Sequence, residues 1–232
     1  MEKVLDKGYV RLISFMGSDI DIVNAARVSF DKEILELSSK DEMLIKYLVK
    51  NKHDSCFRHC ALTFEVYAPL MVARQWYKHA VASSHVDDQL GWNETSRRYV
   101  TENEQFYIPS IDEWRSAPEN KKQGSGDAVD QQIGGKYTKR LSDMIKMSMQ
   151  LYKDALLDGI APEQARIFLP AYSLYIRWRW TTSLNALMNF LSLRTNTGQV
   201  GAQKEIAEYA NAIRKLSEPI YPVTMEAWKE YR

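Results

Sequence analysis

Hydrophobic periodicity divides the chain into alternating strand-like and helix-like segments. Residues 8–15 read as a short strand, and 19–28 place Ile20, Ile22, Val23 and Ala26 at helical spacing. Ser39 with Glu42 three residues on has the form of a capping box. Behind it Met43, Leu44, Tyr47 and Leu48 make one apolar stripe, predicting a helix that ends near Lys52. Strict alternation over 61–67 puts Leu62, Phe64 and Val66 on one face and Thr63, Glu65 and Tyr67 on the other, which predicts a strand. Pro69 sits where a first helical residue would, with a helix running to about His79. A polar stretch over 82–98 follows, then an extended run over 99–108. Residues 116–135, rich in Gly, Lys, Gln and Asp, read as a mobile surface loop. Helical pattern resumes over 136–157 and again over 162–168. A second strand over 175–182 sets Tyr175, Arg177 and Arg179 against Ile176, Trp178 and Trp180, and helices over 184–194, 203–216 and 224–231 close the chain. The sum is an α+β fold with a helix-rich C-terminal half, in one domain spanning 1–232, with flexible loops near 82–96 and 116–135.

Charge and cysteine content narrow the classes of function. Thirty-one Lys and Arg stand against 30 Asp and Glu, so the net field gives no pull on a polyanion such as nucleic acid, and any phosphate must be met by a local cluster. Two cysteines, Cys56 and Cys60, are too few for a disulfide scaffold, and no apolar stretch has the length of a signal peptide or a membrane span. A reduced, cytoplasmic protein with no membrane partner is expected.

Four constellations could carry chemistry. On the segment after Pro69, Arg74 with Lys78 and Gln75 with His79 are each one turn apart and form a polar face, either solvated or ligand-binding. The loop 93–99 packs amide, carboxylate, hydroxyl and two guanidiniums into seven residues, a set able to meet a monophosphate through Ser96 and Arg98. Farther on, Arg166 follows Pro162, Asn185 and Asn189 sit one turn apart on an apolar helix, and Arg194 closes that helix. Buried amides need partners at a cost of about 1–3 kcal/mol if unmet, and the edge of a planar ligand would supply them. His53, Cys56, His59 and Cys60 raise a zinc reading, but structural zinc usually draws pairs from separated segments; packing cysteines and a ligand-facing His53 are favoured, with no metal. Gly124-Ser125-Gly126 lacks the strand and Lys-Ser/Thr context of a phosphate loop. Arg177-Trp178-Arg179-Trp180 interleaves bases and aromatics, yet alternation sends them to opposite faces, which weakens a nucleic-acid-binding reading.

Five blocks in order, at 53–59, 74–79, 93–99, 165–170 and 187–194, resemble the flavin-dependent thymidylate synthases, the ThyX family, along nearly the whole chain. The resemblance implies a single domain with a small antiparallel sheet, assembled as a homotetramer with active sites at subunit junctions. It implies methylation of dUMP to dTMP with FAD as cofactor, methylenetetrahydrofolate as carbon donor and NADPH as reductant. By the same resemblance Arg194 stabilises the N3-ionised uracil, as a guanidinium that stays charged can. Arg74, Gln75, Lys78, Glu94, Thr95, Ser96, Arg97, Arg98 and Arg166 would line the dUMP site, and His53, Ser55, Lys78, His79, Ser183, Asn185 and Asn189 would contact FAD. The chain departs from the family pattern in four places. Lys78-His79-Ala80 replaces Arg-His-Arg, extra residues fall over 84–92, Arg58 stands where Glu is common, and Ser183 and Asn185 replace Asn and Arg. Arg58, Arg97 and Arg177 are candidates to supply the lost guanidiniums. The departures also leave room for a relative that methylates or hydroxymethylates another pyrimidine nucleotide.

Overall fold

Alternation in two segments builds the centre of the molecule. The computed structural model describes residues 1–77, 79, 91–94, 104–118, 124–195 and 202–232. Its sheet is wholly antiparallel, in the order β1-β2-β3-β5-β4, with β1 Glu2–Val4, β2 Gly8–Met16, β3 Ala61–Pro69, β4 Gly91–Glu94 and β5 Tyr175–Ser183. β3 and β5 pair along their full length, from Ala61 opposite Ser183 to Pro69 opposite Tyr175. That register sets Phe64 against Trp180 and Val66 against Trp178, all buried in the main core. On the other face the Thr63 and Thr181 hydroxyls meet at 3.0 Å.

The second face is less exposed than alternation predicts. Glu65 is buried because Tyr9 donates to its carboxylate at 2.9 Å and Arg11 pairs with it at 3.0 Å. Tyr175, assigned by sequence to the arginine face, is also buried, its hydroxyl donating to Asp6 at 2.6 Å. A strand that has neighbours on both sides can bury its polar residues once they are paired.

Helices cover the sheet: α1 Asp19–Arg27, α2 Ser39–Lys50, α3 Leu70–Trp76, α4 Gln131–Leu157, α5 Pro162–Ala165, α6 Leu184–Arg194, α7 Lys204–Ser217 and α8 Pro222–Tyr231. The capping box of α2 is Ser38 with Asp41, one residue earlier than the sequence predicts; Asp41 also pairs with Arg27, which fixes the choice. Pro69 ends β3 and caps α3 rather than opening it, and α3 stops at Trp76. Asp19 is buried at the N-terminus of α8, accepting from the Val223 and Thr224 amides at 2.9 and 3.2 Å and from the Thr224 hydroxyl at 2.5 Å.

Two stretches read as loops contain regular structure. β4 lies inside the polar run 82–98, held by pairing with β5 rather than by its own apolar content. α4 begins at Gln131, five residues before the helical pattern, with Asp130 accepting from the Gln132 amide at 2.7 Å. Its Gly134 looks like a loop residue but is a packing residue, since a Cβ there would fall 1.8 Å from the Ile111 carbonyl oxygen. Of the extended run 99–108, the described part makes a single bridge, Phe106 to Leu174. Phe106 and Leu174 join Ile145, Tyr152, Ala155, Ala165 and Leu169 in a second, smaller core under α4. Among the described residues no helix is long and apolar enough to cross a membrane.

Candidate active site

The site begins where strand becomes helix. β5 runs directly into α6 at Ser183, whose hydroxyl accepts from the Ala186 amide at 3.2 Å and so caps the helix. α6 is buried on nearly every side, through Leu184, Ala186, Leu187, Met188, Phe190 and Leu191, and delivers Arg194 at its last position. There Arg194 meets the end of α3. Its Nε donates to His79 Nε2 at 3.0 Å and its Nη2 to the Gln75 carbonyl oxygen at 3.5 Å. Accepting from a guanidinium requires a neutral imidazole. Burial first, and the Arg194 charge second, pull the His79 pKa down to about 4, so the ring stays neutral at pH 7. Burial also lowers the Arg194 pKa, though a guanidinium remains a cation at neutral pH. His79 stands edge-on to Phe190 at 5.2 Å, and Phe190 stacks on Trp76 at 4.7 Å, tying the site to the aromatic core.

Gln75 is held at both ends. While its carbonyl accepts from Arg194, its side-chain Nε2 donates to the Met71 carbonyl at 3.2 Å and to Gln203 Oε1 at 2.7 Å. One residue back, Arg74 is exposed and shares a cavity of about 150 Å³ with Leu70, Ala73, Tyr77, Trp92 and Glu94. β4 brings Glu94 to that cavity by stacking Trp92 on Trp178, ring centroids 4.9 Å apart. Two predicted substrate residues from separate blocks thus share one recess, and Arg74 directly precedes Gln75 of the Arg194 junction on α3.

The predicted cofactor residues fall into two groups. His53 and Ser55 are exposed on the 3-10 turn Asp54–His59 and its cap, which packs against α6. Asn189 is half-buried on α6, whereas Ser183 and Asn185 lie inside the protein. Both cysteines of that turn region are buried free thiols. Cys60 donates to the Ser18 carbonyl at 3.7 Å, and burial pushes its pKa up to about 12, as a packing thiol and not a nucleophile would have. Trp178 and Trp180 face the core and offer nothing for base stacking. Arg58 is exposed. Arg166 stands apart from the Arg194 junction, exposed on the 3-10 turn after α5 and donating to the Glu163 carbonyl at 3.3 Å. Lys78, Thr95, Ser96, Arg97 and Arg98 lie outside the described residues, as does most of the insertion over 84–92. Sequence reading missed Gln203, which precedes α7 with no periodic or motif signal to mark it.

A mixed α/β chain whose antiparallel sheet feeds a guanidinium into an amide- and imidazole-lined junction has the makings of a site for a planar ligand with anionic character. The chain belongs to the family described as thymidylate synthase complementing protein, whose model matches residues 11–223. It is 39% identical over 231 residues to a flavin-dependent thymidylate synthase of Thermotoga neapolitana, covering 98% of this chain and 94% of the relative. A flavin-dependent thymidylate synthase of Thermosipho africanus is also 39% identical, over 229 residues, with 99% and 94% covered. Among solved structures, the UMP/dUMP methylase PolB of Streptomyces cacaoi bound with 5-Br dUMP superposes with a TM-score of 0.82 at 28% identity, covering 100% of this chain and 98% of that one. The same methylase bound with 5-Br UMP gives 0.82 at 27%, with 99% and 97% covered.

Proposed function

We propose that this chain methylates dUMP to dTMP, using methylenetetrahydrofolate as carbon donor and NADPH as reductant with FAD as cofactor. The observation that carries the reading is the Arg194 junction. A guanidinium has five N–H donors, and His79 and the Gln75 carbonyl engage one each, which orients the group and leaves its remaining donors for the uracil edge. A fixed cation there favours the N3-ionised ring without reorganising during the reaction. Arg74 and Glu94 share the recess between α3 and β4 that would take the nucleotide, and Gln75, Lys78, Thr95, Ser96, Arg97 and Arg98 complete that set by resemblance.

The residues present suit a flavin. The side chains of His53, Ser55 and Asn189 make no hydrogen bond among the described residues, so imidazole, hydroxyl and carboxamide remain available to an isoalloxazine or diphosphate. By resemblance Lys78, His79, Ser183 and Asn185 would also contact the flavin. The flavin, when bound, supplies the redox chemistry, and the protein positions and polarises.

Arg166 supports a homotetramer. It lies on an outer surface beside the exposed Ile167, Phe168 and Tyr172, an apolar setting suited to the junction with a neighbouring copy whose site it would enter. Two buried free thiols agree with a reducing, cytoplasmic location. In this reading the partners are small molecules and like copies, with neither membrane nor nucleic acid.

The test is chromatographic detection of dTMP after incubation with dUMP, methylenetetrahydrofolate, FAD and NADPH, with Arg194→Ala as control. No dTMP from the wild type, with flavin still reduced by NADPH, would refute the substrate assignment. UMP is offered in parallel, because PolB is described as a UMP/dUMP methylase; a methylated ribonucleotide would favour the reading in which another pyrimidine nucleotide is the substrate.

A further inference from the structure

The Gln75 carboxamide has two N–H donors and one acceptor oxygen. Both donors are committed, to the Met71 carbonyl at 3.2 Å and to Gln203 Oε1 at 2.7 Å. No hydrogen bond to Gln75 Oε1 occurs among the described residues. A carboxamide is nearly isosteric with its flipped form, so its orientation is set by what faces it. Met71 O belongs to the turn of α3 below Gln75 and can hold only one of the two donors. The second constraint is Gln203.

Gln203 is itself firmly seated. The next two residues pin the start of α7 to the segment at 113–115: Lys204 pairs with Glu113 at 3.1 Å and Glu205 with Arg115 at 2.5 Å, the latter largely buried. A side chain with so fixed a base gives the Gln75 carboxamide a second anchor at a set distance.

We propose that Gln203 is a positioning residue for nucleotide recognition: it holds the Gln75 carboxamide with Oε1 presented as an acceptor, and that acceptor reads the free sugar hydroxyl of the nucleotide. The inference rests on the reading that Gln75 lines the dUMP site. The hydroxyl is chosen over the base because an acceptor oxygen would repel an N3-ionised uracil, whereas in dUMP the 3′-hydroxyl is the one free sugar donor. Without Gln203 the amide keeps only its Met71 anchor, and Oε1 is no longer held at a fixed place against that hydroxyl.

Dissociation constants of the flavin-loaded protein for dUMP and for 2′,3′-dideoxyuridine monophosphate test this by calorimetry. Gln203→Met should weaken dUMP about tenfold, the scale of one hydrogen bond, and leave the dideoxy nucleotide within about twofold. Gln203→Glu, which keeps an acceptor opposite Gln75 Nε2, should restore dUMP binding. Equal weakening of both nucleotides by Gln203→Met would overturn the proposal, since a general structural role predicts that result. So would an unchanged dUMP affinity in Gln203→Met when Gln75→Met weakens it. If Gln75→Met leaves dUMP binding intact, the placement of Gln75 in the nucleotide site fails, and the proposal fails with it.

Discussion

Replacing Arg194 by Lys keeps the charge and removes the fork. The substitution deletes the Nε donor that meets His79 at 3.0 Å and the Nη2 donor that meets the Gln75 carbonyl at 3.5 Å. A lysine ammonium can reach one of these partners or the substrate, but it has no planar edge with which to hold all of them. Hydrogen bonds to a charged group contribute about 1.5–3 kcal/mol each, and the long contact to Gln75 belongs at or below the lower end. A combined loss of about 2–4 kcal/mol in the transition state corresponds to a fall of roughly 30- to 1,000-fold in kcat/KM. The fold should survive, because α6 is secured by Leu184, Leu187, Phe190 and Leu191 and not by its last residue. The assay is steady-state dTMP formation at saturating flavin, with thermal melts showing that both proteins are folded. A kcat/KM within threefold of wild type in Arg194→Lys would refute the argument that orientation of the guanidinium, beyond its charge, carries catalysis.

The His79 pKa of about 4 lies below its ordinary 6.5, so between these values the unfolded chain binds a proton that the folded chain does not. The stability this residue contributes is therefore complete above about 6.5 and is lost as pH falls toward about 4; urea titrations at pH 7 and pH 5 should show a smaller difference in His79→Gln than in wild type. Removing the neighbouring cation in Arg194→Ala should raise the His79 pKa while burial, the larger cause, keeps it below the ordinary value; an NMR titration of the ring reads this directly. Asp19→Ala strips three donors at the α8 N-terminus of their buried acceptor and should cost about 2–4 kcal/mol in denaturant unfolding. Gly134→Ala forces a Cβ against the Ile111 carbonyl and should destabilise by about 1–3 kcal/mol, with a lower Tm as the check.

What could be read from sequence was whatever one segment decides for itself. Alternation over 61–67 and 175–182 marked both central strands because each presents one face to a packed core. The span 184–194 matched α6 to the residue, since its apolar content and terminal arginine agree. The misses are decided across segments. Trp92 and its neighbours form β4 only because β5 offers a free edge, and Gly134 is helical because Ile111 lies against it. In the site, the resemblance named Arg194, His79 and Gln75, but not that Arg194 bonds both others, a fact set by where α3 and α6 end. Gln203 left no trace, because a single tertiary hydrogen bond has no period.

The direct passage of β5 into α6 makes the reactive end of the molecule a downstream reading of strand pairing. With no loop between them to absorb error, a slip of β5 by one residue against β3 would carry the helix about 3.3 Å along and turn Trp178 and Trp180 away from the core. Arg194, about 16 Å along a rigid rod at the usual helical rise, would then miss His79 altogether. Proofreading of the sheet is thus also proofreading of the catalyst. Insertions and deletions between Tyr175 and Arg194 should be purged even where every side chain that touches the ligands is kept.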